Sequence, residues 1–160
     1  MGDSNQAQAI PPSSDLRPRV GGGRFSLDAD SIARAEAALK SLSSQFAQWM
    51  QDELDKLDVA RAEIRAKGMT SETSETLYMR AHDLKGLGST YEFPLVTRIA
   101  GSLCRLVDDP RTRASAPMNL VDAHIDAIKA VVRDDIKTED HPVGRAIAAE
   151  LESKTSAHLK

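Results

Sequence analysis

The sequence predicts an all-α fold: an antiparallel four-helix bundle with an extended N-terminal helix and a short C-terminal helix. Three observations carry this. Apolar residues recur at three- and four-residue steps through most of the chain, the spacing that lines one face of a helix. Aromatic residues make up only 4% of the sequence while alanine and leucine are plentiful, a composition that favours helix over sheet. The breaks between periodic segments are short, so the apolar stripes bury most simply against one another. At 160 residues the chain is one domain of ordinary size with a tail.

Residues 1–24 lie outside this pattern. Pro11-Pro12-Ser13-Ser14, Pro18 and Gly21-Gly22-Gly23 interrupt any periodicity and offer little to bury, which predicts a disordered leader. The bundle is expected over 25–153 and a frayed tail over 154–160. Asp28 or Asp30 can cap the first helix. Ile32, Ala35, Leu39, Leu42, Phe46 and Trp49 then form one stripe, which shifts at Met50, Leu54, Leu57 and Ile64. Nothing breaks the helix before Gly68, so more than 30 residues are expected in it, spanning roughly 50 Å. Such length allows the first half to pack across the bundle or against a second copy, so the expectation is a monomer or weak self-association through the long first helix.

Gly68-Met69-Thr70-Ser71 reads as a turn, after which Glu72 and Glu75 suit the positive end of a second helix. Phe93-Pro94 opens a third helix, with Val96, Ile99, Leu103 and Leu106 inward and Asp108-Asp109-Pro110 at its end. Residues 111–116 read as a polar loop. Pro117 opens a fourth helix with its stripe at Met118, Val121, Ile125, Ile128, Val132 and Ile136. His124 sits beside that stripe and is expected half-buried or solvated. Asp140-His141-Pro142 reads as a cap followed by a first-turn proline, and Val143, Ile147 and Leu151 as the inward face of the last helix.

The formal net charge of −3 and a pI near 5.8 argue against nucleic-acid binding, which usually brings a basic surplus. No apolar run approaches the ~20 residues that span a bilayer, and the N-terminus lacks a signal-peptide core. The single cysteine, Cys104, cannot form an internal disulfide, and no Cys/His spacing suits a metal. Cys104 is expected to pack as a small hydrophobe at a helix interface. Together these predict a soluble, cytoplasmic protein without a membrane association.

The chemistry concentrates in the second helix. Leu77, Ala81, Leu84 and Gly88 form its buried stripe, which turns His82 outward, roughly 130° from the stripe's centre. Lys85 lies one turn on, between the stripe and the histidine. Gly86 is the i+4 neighbour, where any side chain would lean toward the imidazole. A helix-interior glycine costs roughly 1 kcal/mol relative to alanine, so two within one turn ask for a reason. Gly88 has one in close helix packing. Gly86, on the exposed side, has none unless space beside the histidine is itself the requirement. A Schellman stop at Gly86 or Gly88 is the plain structural alternative. Tyr78 and Met79 flank the histidine and, with Ser89, make a small candidate docking surface. Asp83 points to a different face and is not expected to be the general base.

The segment His82-x-x-Lys85-Gly86 resembles the signature of histidine phosphotransfer (HPt) domains of bacterial phosphorelays. The run Phe93-Pro94-Leu95-Val96-Thr97-Arg98-Ile99-Ala100 is similar to the downstream helix of stand-alone alphaproteobacterial HPt proteins. Where that family usually has glycine, this chain has Glu92, a departure that bears on the turn between the helices. The resemblance implies His82 as phosphoacceptor, Lys85 and Gly86 as the groups that contact phosphate or leave access, and Tyr78, Met79 and Ser89 as receiver-docking residues. It implies response-regulator receiver domains and a hybrid histidine kinase as partners. Mg²⁺ would sit on the receiver, with no cofactor on this chain. No phosphate-cradling glycine loop follows a strand, so a carrier is expected rather than an ATP-dependent enzyme. Three alternatives stand beside it: a histidine-kinase dimerisation module, a catalytically silent adaptor that binds a receiver, and an oligomerising helical scaffold.

Overall fold

A computed structural model describes residues 28–160; the expected leader over 1–24 lies outside them. Five α-helices are present among the described residues, with no strand. We number them α1 (Ala29–Lys67), α2 (Ser71–Leu87), α3 (Pro94–Leu106), α4 (Met118–Arg133) and α5 (Pro142–His158). The chain divides into two units, Met1–Leu42 and Ser43–Lys160. Of the first, the described part is the opening of α1, where the Asp28 carboxylate accepts from the Ser31 amide at 2.7 Å. Asp28 is thus the cap.

The second unit holds the bundle. α1 runs for 39 residues, about 58 Å at 1.5 Å per residue. Its second stripe enters the core as expected: Met50, Leu54, Leu57 and Ile64 are all buried. Arg61, on the same face, is also buried and donates to Asp58, Asp122 and Asp126 at 2.8–3.3 Å, tying α1 to α4. Gly68 closes the helix at φ +87°, its amide bonded to the Ile64 carbonyl. α2 starts with a capping box between Thr70 and Thr73, each side chain accepting from the other's amide. The acidic pair Glu72 and Glu75 does not supply this cap.

α3 is the central helix and packs against α2, α4 and α5. Its two faces are buried accordingly, including Leu95, Val96, Ile99, Ala100 and Leu103. Cys104 is buried, as expected, and burial pushes its thiol up to about 11.

Five expectations need correction, four at helix ends and faces and one at His124. α4 ends at Arg133, so Ile136 belongs to the following turn; its amide bonds back to the Val131 carbonyl while Asp135 takes φ +54°. α5 is capped by His141 rather than Asp140, the imidazole Nδ1 accepting from the Gly144 amide at 3.1 Å. Its inward face is Gly144, Ala148, Leu151 and Thr155, whereas Val143 and Ile147 are exposed. The helix turns Gly144 inward because a side chain there would run into Leu95. Finally, α5 neither stays short nor frays after Ser153: its 17 residues continue to His158.

The reason lies in the core. Thr155 is fully buried, 3.0 Å from the Ser102 hydroxyl and 3.3 Å from His124 Nε2. His124 is itself fully buried, not half-exposed. Its Nδ1 bonds the Leu120 carbonyl at 2.8 Å, so that nitrogen carries the proton and Nε2 faces the Ser102 and Thr155 hydroxyls. A polar ring can replace an apolar one there because every polar atom on it has a partner.

Candidate functional site

His82 stands on the exposed face of α2, because Leu77, Ala81 and Leu84 fill the core on the opposite side. Its imidazole lies against the Tyr78 ring, centroids 5.9 Å apart at 40°. Tyr78 is half-buried, and the Arg113 guanidinium covers it, 5.1 Å from the ring centroid. Arg113 comes from a short 3₁₀ turn, Arg113–Ser115, in the stretch expected to be a plain polar loop. It is buried and donates to the Asp108 carbonyl at 3.0 Å. Burial and the neighbouring Asp108 carboxylate push the Tyr78 phenol up, so it stays protonated at neutral pH. Met79, beside this pair, is 54% exposed.

Asp83 is exposed and lies 3.8 Å from Arg80, its neighbour one turn back. Lys85 is exposed too, and its aliphatic stem passes over Gly101 of α3, 3.9–4.0 Å from where a Cβ at that position would sit. Among the described residues Lys85 enters no ion pair. It borders a cleft of about 510 Å³ shared with Thr97, Arg98, Gly101, Arg105 and Glu152. Arg98 is neutralised there by a two-pronged bond to Glu152 at 2.7 and 2.9 Å, which leaves Lys85 and Arg105 as the exposed cations of the cleft.

The two glycines separate cleanly. A Cβ built at Gly86 meets nothing within 4 Å, so the space beside the histidine is open. One at Gly88 would come 2.5 Å from Thr97 Oγ1 and 2.6 Å from the Thr97 amide nitrogen. Gly88 is therefore fixed by the contact of α2 with α3, and Gly86 is not fixed by any contact. Neither is the site of a Schellman stop. That motif falls later, where the Phe93 amide bonds the Gly88 carbonyl and the Glu92 amide bonds the Ser89 carbonyl. Glu92 takes its left-handed position at φ +72°.

Of the residues singled out from sequence, the structure brings Tyr78 to His82 and leaves Met79, Lys85 and Gly86 exposed on the same helix. Ser89 is exposed as well, and its amide and hydroxyl both reach Thr97 Oγ1, at 2.8 and 3.2 Å. Sequence alone does not mark Arg113, Gly101 and Arg105, because the first reaches Tyr78 from the 3₁₀ turn and the other two reach Lys85 from α3, with no local pattern to mark either approach. The chemical content is an accessible imidazole backed by an aromatic ring, with Lys85 one turn on, in no ion pair among the described residues, and free space on one side. Comparison with protein-family models, curated proteins and solved structures finds no match in any of the three.

Proposed function

We propose that this chain is a histidine-containing phosphotransfer protein that relays a phosphoryl group to and from the aspartate of response-regulator receiver domains. The observation that carries the reading is the exposed His82 beside an open Gly86, on a helix whose other glycine has a packing reason and whose Lys85 enters no ion pair among the described residues. Neutral imidazole is a competent nucleophile near neutral pH, with an unperturbed pKa of about 6.5. A ring nitrogen attacks the phosphorus of the receiver's aspartyl phosphate. The N–P bond forms as the P–O bond breaks, and the carboxylate leaves with the electron pair. The receiver supplies Mg²⁺ and the acidic pocket; this chain supplies the nucleophile. Lys85 offsets charge on the transferring oxygens, which dominates such reactions.

Tyr78 and Met79 serve as the apolar part of the docking surface, with Lys85 and Arg105 complementing an acidic receiver. A hybrid histidine kinase supplies the phosphate upstream. Among the described residues no helix is long and apolar enough to cross a membrane, which suits a carrier diffusing between cytoplasmic partners.

The test is transfer of label from a panel of phosphorylated receiver domains with Mg²⁺. The expected result is an acid-labile, alkali-stable adduct on wild-type protein and none on His82→Gln, with helicity unchanged because the ring is exposed. Binding to a receiver without any transfer would replace this reading with a silent adaptor.

A further inference from the structure

The opening of α1 carries a second apolar stripe, most of whose large side chains are exposed. Ile32, Ala35, Leu39, Leu42, Phe46 and Trp49 follow one another at steps of 3, 4, 3, 4 and 3. That is an unbroken 3.5-residue repeat, the period of a seam between two helices rather than of a helix lying on a globular core. α1 is one uninterrupted helix through all six positions. Ile32 is 43% exposed, Leu39 66%, Leu42 42% and Trp49 43%. The core-facing stripe begins only at Met50.

We infer that this seam binds the same seam of a second copy of the chain, in antiparallel register centred between Leu39 and Leu42. Antiparallel pairing sets each first-position residue of the repeat opposite a fourth-position residue of the partner helix. With this centre, all six positions find partners at once. Trp49 meets Ile32, Phe46 meets Ala35, and Leu39 meets Leu42, each in both directions across the twofold axis. The large rings at one end fall opposite the small side chains at the other, the alternation that close packing between helices requires. In parallel register, tryptophan would meet tryptophan and alanine would meet alanine.

Charge agrees. Asp30, Arg34, Glu36 and Lys40 are the ionised groups between Ala29 and Trp49, two of each sign. A neutral segment neither repels its copy nor draws an anionic membrane. The residues flanking the seam are Ser31, Glu36, Ala38, Ser43 and Gln45. Glu36 then lies beside the partner helix's Ser43, so no like charges meet. Continuity agrees as well. Phe46, Trp49 and Tyr91 already form an aromatic cluster with centroids 5.6–5.9 Å apart, and Trp49 leaves much of its surface bare. The incoming Ile32 and Ala35 cap that cluster. The inference stands apart from the role of His82.

Sedimentation of the full chain reads it directly. The mass is expected to rise from 17.4 kDa toward twice that value between low and high micromolar concentration. Leu39→Glu abolishes the rise, whereas Val59→Glu, on an exposed residue off the seam, leaves it intact. Register is read by oxidation of Ile32→Cys protein, alone and mixed with Trp49→Cys protein; native Cys104 is buried. The mixture cross-links and Ile32→Cys alone does not, since antiparallel pairing holds those two sites about 25 Å apart. A monomer at high micromolar concentration, a dimer that survives Leu39→Glu, or cross-linking of Ile32→Cys to itself would each overturn the proposal.

Discussion

At the scale of single residues, Gly86 and Gly88 show how identical side chains can answer to different constraints. Gly86 lies inside α2 and Gly88 at its C-terminal cap, both in helical conformation, where glycine forfeits up to roughly 1 kcal/mol relative to alanine. Gly88 recovers that cost through the approach of Thr97, which leaves no room for a methyl group. Gly86 recovers nothing from the fold. Gly86→Leu is therefore expected to stabilise the protein by about 0.8 kcal/mol, or roughly 2–4 °C in Tm, while abolishing phosphoryl transfer. Gly88→Ala is expected to do the reverse in stability, costing about 1–3 kcal/mol through overpacking against backbone atoms. Thermal melts and transfer rates on the two variants check this together. Normal transfer by Gly86→Leu would show that receiver access does not depend on that gap.

At the scale of elements, two helix ends rest on left-handed residues that are not glycine. Glu92 closes the turn after α2 at φ +72° and Asp135 the turn after α4 at φ +54°. Both stops have the same paired backbone bonds, and Lys137 lies 3.8 Å from each of the two carboxylates and 5.5 Å above the Phe93 ring. A left-handed non-glycine residue costs roughly 1–2 kcal/mol, and an exposed ion pair at that distance returns little of it. Glu92→Gly is expected to raise stability by about 1 kcal/mol in denaturant unfolding. A loss of stability would mean the Lys137 contact outweighs the backbone term. These stops also mark where sequence reading fails. Gly68 was legible as a helix end because glycine is what such a position usually holds. Asp135 carries no such mark, so periodicity alone runs α4 on to Ile136, and Glu92 is marked only by the family resemblance. The stripes of α3, of most of α4 and of the second half of α1 are legible because large apolar residues hold nearly every inward position. The stripe of α5 is not, since its inward positions include Gly144, Ala148 and Thr155, which carry little hydrophobic signal, while the exposed Val143 and Ile147 look apolar enough to face inward. His82, Lys85 and Gly86 could be placed because one helix carries them. Arg113 could not, because its packing on Tyr78 is a tertiary event.

At the scale of the whole molecule, the Ser102, His124 and Thr155 cluster joins α3, α4 and α5 through one buried polar point. Burial depresses the His124 pKa below its ordinary 6.5, only partly opposed by the bond to the Leu120 carbonyl. The unfolded chain then takes up a proton below that pH which the folded chain refuses. Its contribution is fully present above about pH 6.5 and is lost as pH falls through and below that value. The slope reaches at most about 1.4 kcal/mol per pH unit until the ring protonates in place. The carboxylates held low by their partners, Glu152 beside Arg98 and Asp109 beside Arg111, lose their share of stability only below the ordinary carboxylate range, so the two effects occupy separate windows. Unfolding free energies measured in steps from about pH 7.5 to pH 5 should therefore decline in wild-type protein. In His124→Gln, which keeps a polar side chain against Ser102 but cannot titrate, the same interval should flatten from a lower starting stability. Equal slopes in the two proteins would mean that His124 protonates in the folded state as readily as in the unfolded one. The polar cluster would then owe its place to packing alone.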